Sequence, residues 1–135
     1  MGQKSERTNL ASEFYVLATL HRLELEPLLT LGNKKSVDIV LQDNKRTFTI
    51  DVKGMASKTC WLLGMNKPEI IPNHFYVLVT YLNKIGDISI RPESYVLTSK
   101  EIRRFAKQTK KGYVIDYSKM RDKGSKYKEN WRVLK

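Results

Sequence analysis

A chain of 135 residues, 41% of them hydrophobic, is sized for a single domain spanning residues 1–135 and is too apolar to be a disordered segment. Cys60 is the only cysteine and His21 and His74 the only histidines, which excludes an intrachain disulfide and a cysteine-rich zinc site. No stretch approaches the roughly 20 apolar residues of a membrane helix, the start MGQKSERTN lacks the apolar run of a secretory signal, Glu6 breaks the simple myristoylation pattern after Gly2, and a lone cysteine suits a reducing, cytoplasmic setting.

Residues 1–8 read as a flexible leader. A helix is expected from about Asn9 to about Leu25, capped by Asn9 or Thr8 and closed by Pro27. Leu10, Phe14, Leu17 and His21 follow helical spacing, and Glu13 shares a second face with Leu17 and Leu20. LEPLLTL is a short strand or a connector. Two strands follow, about Val37 to Leu41 and Thr47 to Lys53, joined by QDNKR with Asn44 and Lys45 at the tip. This pairing sets Asp43 opposite Arg46, Leu41 opposite Phe48, Ile39 opposite Ile50 and Asp38 opposite Asp51. One face then carries Ile39, Leu41, Phe48, Ile50 and Val52, and the other Asp38, Val40, Thr49, Asp51 and Lys53.

KTCWLLG (58–64) suggests a further strand, and GMNKPEIIPN, with its two prolines, a loop. HFYVLVTYL (74–82) is almost wholly apolar and reads as a central strand buried on both faces. DISIRP and SYVLT are expected as shorter strands. A helix then begins at a Thr98–Glu101 capping box with a Leu97–Ile102 staple and runs to near Gly112. YVIDY is a short strand or connector, and YKENWRVL a last helical turn seating Trp131. Helix, strands and helix without an internal repeat make an α/β or α+β arrangement.

The formal net charge is +11, and residues 107–135 hold ten Lys or Arg against three acids, a surplus of seven. The basic C-terminal segment, residues 118–135, lies within this stretch. Such clustering attracts phosphate backbones and favours nucleic acid as partner over an anionic membrane, an acidic protein or plain solvent.

In FTIDVKG (48–54), Asp51 and Lys53 stand two apart and so share a strand face, joined by Asp38 if the hairpin pairing holds. Two carboxylates this close repel unless a cation lies between them. Mg²⁺ is the natural cation, since it prefers oxygen ligands, and the Val52 carbonyl is a further donor. Lys53 would face the water and the attacked phosphate. Glu13, on a helix face expected to pack on the sheet, is the fourth candidate.

The order of ASEFYVLATL, SVDIVL and FTIDVKG resembles the PD-(D/E)XK, or restriction-endonuclease-like, nuclease superfamily over roughly residues 9–105. The helical Glu13 is most similar to its small Holliday-junction-resolvase-like branch. The resemblance implies an α/β fold with a mixed central sheet flanked by helices, and a Mg²⁺- or Mn²⁺-dependent endonuclease hydrolysing phosphodiester bonds of DNA. It implies that Asp38 and Asp51 hold the metal, that Lys53 assists the water and that Glu13 completes the site. Related small nucleases often pair to cut two strands, so a homodimer is implied as well. Two departures are Val37 where the family has proline, and Asp51 where Glu is commoner.

Each residue also has a purely structural account. Asp38 would be a polar strand start, Glu13 a helix-dipole partner, and Asp51 with Lys53 an exposed ion pair. Lys35 and Ser36 could touch phosphate or merely form a loop, His74 begins a strand, and Trp61 and Tyr76 belong to a core. No phosphate loop, dinucleotide fingerprint or Ser–His–Asp arrangement is present. The alternative functions are a non-catalytic nucleic-acid-binding module on the same fold and a protein-interaction domain.

Overall fold

In the computed structural model, which describes residues 3–30, 37–43 and 45–135, apolar alternation along the strands builds a mixed sheet with a core on each face. Its strands are β1 (Pro27–Leu29), β2 (Ile39–Gln42), β3 (Thr47–Met55), β5 (His74–Thr80) and β6 (Glu93–Thr98), in the order β1-β2-β3-β5-β6. All neighbours are antiparallel except β3 and β5, which run parallel. A smaller antiparallel sheet has the order β4-β8-β7, from β4 (Cys60–Gly64), β7 (Lys107–Thr109) and β8 (Gly112–Asp116). Among the described residues three helices complete the fold: α1 (Gln3–Arg22), α2 (Ser99–Phe105) and α3 (Tyr117–Lys123), followed by two short 3₁₀ turns. No described helix is long and apolar enough to cross a membrane.

Helix α1 covers one face of the large sheet. Its Val16 and Leu20 bury against Ile39, Leu41, Phe48, Ile50, Val52, Phe75, Val77 and Val79. The second core, on the other face, joins Tyr76, Leu78, Tyr95 and Leu97 to Trp61 and Ile115 of the small sheet and to Ile102 and Met120 of the helices. Every residue of β5 is buried, as its almost wholly apolar run predicts. The Trp61 indole N–H donates to the Val79 carbonyl at 2.9 Å and ties the small sheet to β5. Trp131 seals the C-terminal turn against the α1 core.

The expected hairpin pairing is present from residue 39 onward: Ile39 opposes Ile50, Leu41 opposes Phe48, and the Asp43 N–H donates to the Arg46 carbonyl. The proposed tip residue Asn44, and Lys35 and Ser36, lie outside the described residues.

Three expectations are corrected. The leader expected over residues 1–8 is helical from Gln3, because Thr8 is buried and the helix needs its first turns to reach over β3. Leu10 and Phe14, which follow the helical spacing, are half exposed, and the smaller Thr8 and Ser12 take inward positions where α1 runs close to the sheet. DISIRP is a run of turns, since the Asp87 carboxylate accepts from both the backbone N–H and the hydroxyl of Ser89 and closes a turn that competes with pairing. Helix α2 stops at Phe105 rather than near Gly112. Ala106 is extended, and residues 107–109 pair with β8 across a tight turn in which Gly112 takes a φ of 112°.

The capping box at the start of α2 is formed as expected: the Thr98 hydroxyl accepts from the Glu101 N–H, and the Glu101 carboxylate accepts from the Thr98 N–H. Thr98→Ala should therefore cost about 1 kcal/mol, read as a lowered urea midpoint at unchanged slope.

Candidate active site

Strand β2 begins at Ile39, opposite Ile50, whereas β3 continues to Met55, so the second half of β3 has an edge with no β2 partner. Even-numbered residues of β3 point their N–H and C=O toward this edge. The Ile50 carbonyl accepts from the Asp38 N–H, and the Val52 N–H donates to Asp38 Oδ2 at 2.7 Å. The Asp38 carboxylate thus takes the place where a longer β2 would have offered a carbonyl. Because N–H and C=O of one strand residue leave on the same side, the Val52 carbonyl also points to this edge.

Asp38 is held from the other side as well. Its carbonyl accepts from the Thr30 N–H at 2.9 Å, and the Thr30 hydroxyl donates to the carbonyls of Val37 and Asp38. These contacts turn the chain at Asp38, so the cross-strand facing of Asp38 and Asp51 expected from an unbroken ladder does not occur; the ladder closes at Ile39 and Ile50.

Gly54 lets α1 come close. A Cβ built there would lie 2.1 Å from Ser12 Oγ and 2.8 Å from Ser12 Cβ. With the helix seated on that bare backbone, Ser5, Asn9 and Glu13, one turn apart, face the open edge of β3. A cavity of about 490 Å³ results, walled by Glu13 from α1, Asp38, Val52 and Lys53 from the sheet, and Cys60 and Leu62 from β4. It shares Ser5, Asn9, Gly54 and Met55 with an adjoining cavity of about 630 Å³ that extends to Arg7 and Ile85.

The structure therefore gathers Glu13, Asp38, Val52 and Lys53 around one space. Asp51 is not in that wall. It shares the face of Lys53, but its Oδ2 lies 3.3 Å from Nε2 of His74 on β5. The Tyr76 phenol on the same face is pushed up to about 12 by burial, with the charge of Asp51 adding to the effect. Among the described residues no three His, Cys, Asp or Glu side chains stand together as a metal-holding group. The oxygen donors of the cavity still suit Mg²⁺, which is held by one or two carboxylates and keeps several waters.

Two residues near the site were not assigned a role by sequence. Gly54 had a signal, since an isolated glycine inside a strand marks a close approach of another chain segment. His74 had none beyond its place at the head of an apolar run, and its partners Thr49 and Asp51 come from a different strand.

The fold is similar to that of a bacterial homing endonuclease, I-Ssp6803I, with a TM-score of 0.60 over 96% of this chain and 91% of that one, at 15% identity. No protein-family model and no curated protein matches the chain.

Proposed function

We propose that the protein is a metal-dependent nuclease of the PD-(D/E)XK type that hydrolyses phosphodiester bonds in DNA. The observation that carries this reading is the meeting of Glu13, Asp38, the Val52 carbonyl and Lys53 at one cavity, on a fold like that of a homing endonuclease.

In this reading the carboxylates of Glu13 and Asp38 and the Val52 carbonyl would hold Mg²⁺ or Mn²⁺, and Asp51, which stands outside the cavity wall on the face of Lys53, would add a further oxygen from that flank. When bound, the metal supplies a water of lowered pKa and neutralises charge developing on phosphorus. Lys53 brings its ammonium into the same space, where it orients the attacking water and donates to a non-bridging phosphate oxygen. The Val52 N–H keeps one oxygen of Asp38 in place, leaving the other directed by a rigid backbone rather than by a free side chain.

The small sheet supports a nucleic-acid partner. Cys60 and Leu62 on β4 wall the cavity, and across the sheet Asp116 pairs with Cys60 while Lys107 is 2.7 Å from Asp116. The same hairpin carries Lys110 and Lys111 at its exposed turn, two cations open to an anionic partner.

The test is incubation of purified protein with plasmid, linear and branched DNA. Cleavage is expected with Mg²⁺ or Mn²⁺ and should vanish with EDTA, with the melting temperature measured alongside. No cutting of any substrate in either metal, together with tight DNA binding, would leave the non-catalytic binding module as the function. Binding itself should weaken steeply with salt, log K falling by about 0.9 per log salt for each phosphate neutralised on duplex DNA.

A further inference from the structure

His74 is buried to 4% exposure, and both of its ring nitrogens have partners on β3. Nδ1 lies 2.6 Å from the Thr49 hydroxyl and Nε2 lies 3.3 Å from Asp51 Oδ2. The parallel pairing brings this about: His74 opposes Thr49, and Asp51 follows two residues later on the same face. The ring also meets the edge of Tyr76, with centroids 5.1 Å apart at 83°, so it has little freedom to turn.

The chemistry of the partners sets the direction of the chain. An ionised carboxylate only accepts hydrogen bonds, so the proton sits on Nε2 and is donated to Asp51. In a neutral imidazole Nδ1 then carries the lone pair, and the Thr49 hydroxyl donates to it. Thr49, His74 and Asp51 form a one-way relay that ends on the carboxylate of the Asp-x-Lys pair. A histidine satisfied at both nitrogens is also good core material and would hold the same tautomer, so the kinetics of its substitution separate the two roles.

We propose that His74 is a positioning residue that fixes the carboxylate of Asp51 beside Lys53, a role that rests on the nuclease reading. The ring holds Oδ2 and sets the rotamer of Asp51, as the outer partners of metal-binding side chains do, and loss of such partners typically costs 10–100-fold in activity or metal affinity.

Two measurements decide it. Long-range ¹H–¹⁵N NMR of the metal-free protein at pH 8 should show His74 in the Nε2–H tautomer; the Nδ1–H tautomer, or an average of the two, overturns the relay. Glutamine can place an N–H near the Nε2 position, whereas asparagine reaches only the Nδ1 position. His74→Asn should therefore lower kcat about 10–100-fold at unchanged KM for DNA, and His74→Gln should recover most of the loss, with both variants matched by thermal melting. Equal kcat in the two variants, whether both impaired or both normal, would reduce His74 to a core residue. Failure of the parent protein to cut DNA would instead remove the nuclease reading and this role with it, whereas a cutting parent with indistinguishable variants removes only the role of His74.

Discussion

Lys53→Ala is expected to reduce DNA cleavage about 10²–10³-fold, the loss typical when one preorganised donor to a developing anion is removed. Lys53 lines the cavity that Glu13 and Asp38 also line, so the loss should fall on the chemical step. Single-turnover rates at saturating DNA and metal measure that step directly. Duplex affinity should change little, since one cation among 25 Lys and Arg is removed and the salt slope falls by about one at most. Lys53 is only partly buried and no described strand packs across it on the β2 side, so the fold should tolerate the change. Lys53→Arg is not expected to restore the rate, because a planar guanidinium places its charge differently from a compact ammonium. Undiminished cleavage in Lys53→Ala would assign the activity to other residues or to a contaminant.

Gly54→Ala should be the most damaging single methyl addition near the site. The new Cβ would sit 2.1 Å from Ser12 Oγ, 2.8 Å from Ser12 Cβ and 3.1 Å from the Thr8 carbonyl oxygen. Two of these atoms belong to the helix stem and backbone, so a side-chain rotation alone does not relieve the clash, and α1 must lift from β3. Overpacking of this kind costs about 1–3 kcal/mol, a drop of several degrees in Tm for a chain of this size. The same displacement would carry Glu13 away from Asp38, so cleavage should fall beyond what the lost stability explains at 25 °C. Ser12→Gly in the same chain removes the two closest atoms and should return part of the stability. The coupling between the two sites is read from a double-mutant cycle; strictly additive losses would mean that α1 does not rest on Gly54.

The two strands that carry the site acids were legible because their residues alternate. Ile39, Leu41, Phe48, Ile50 and Val52 sort to one face under a single pairing, and the observed ladder uses that pairing. β5 declared itself by being almost wholly apolar, a pattern that a strand covered on both sides tolerates. The α2 start was equally clear, since a capping box satisfies its own backbone groups from residues three apart. The end of α2 was not. Nothing in FAKQTKKG forbids another helical turn; the pairing of residues 107–109 with β8 wins because it adds a third strand to the small sheet.

Composition, charge and local pattern thus settle what depends on neighbours along the chain: the α/β class, the main strands, the excess of positive charge, and the presence of Glu13, Asp38, Asp51 and Lys53 on elements able to meet. Where those side chains end up depends on contacts between segments far apart. Asp38 turns aside because Thr30 and Val52 hold it, Glu13 reaches the β3 edge because α1 lies on a glycine, and Asp51 faces His74 because β5 runs parallel to β3. Periodicity reports which face a residue occupies; it carries no information about which distant residue will occupy the space above that face, and that is the quantity on which the chemistry depends.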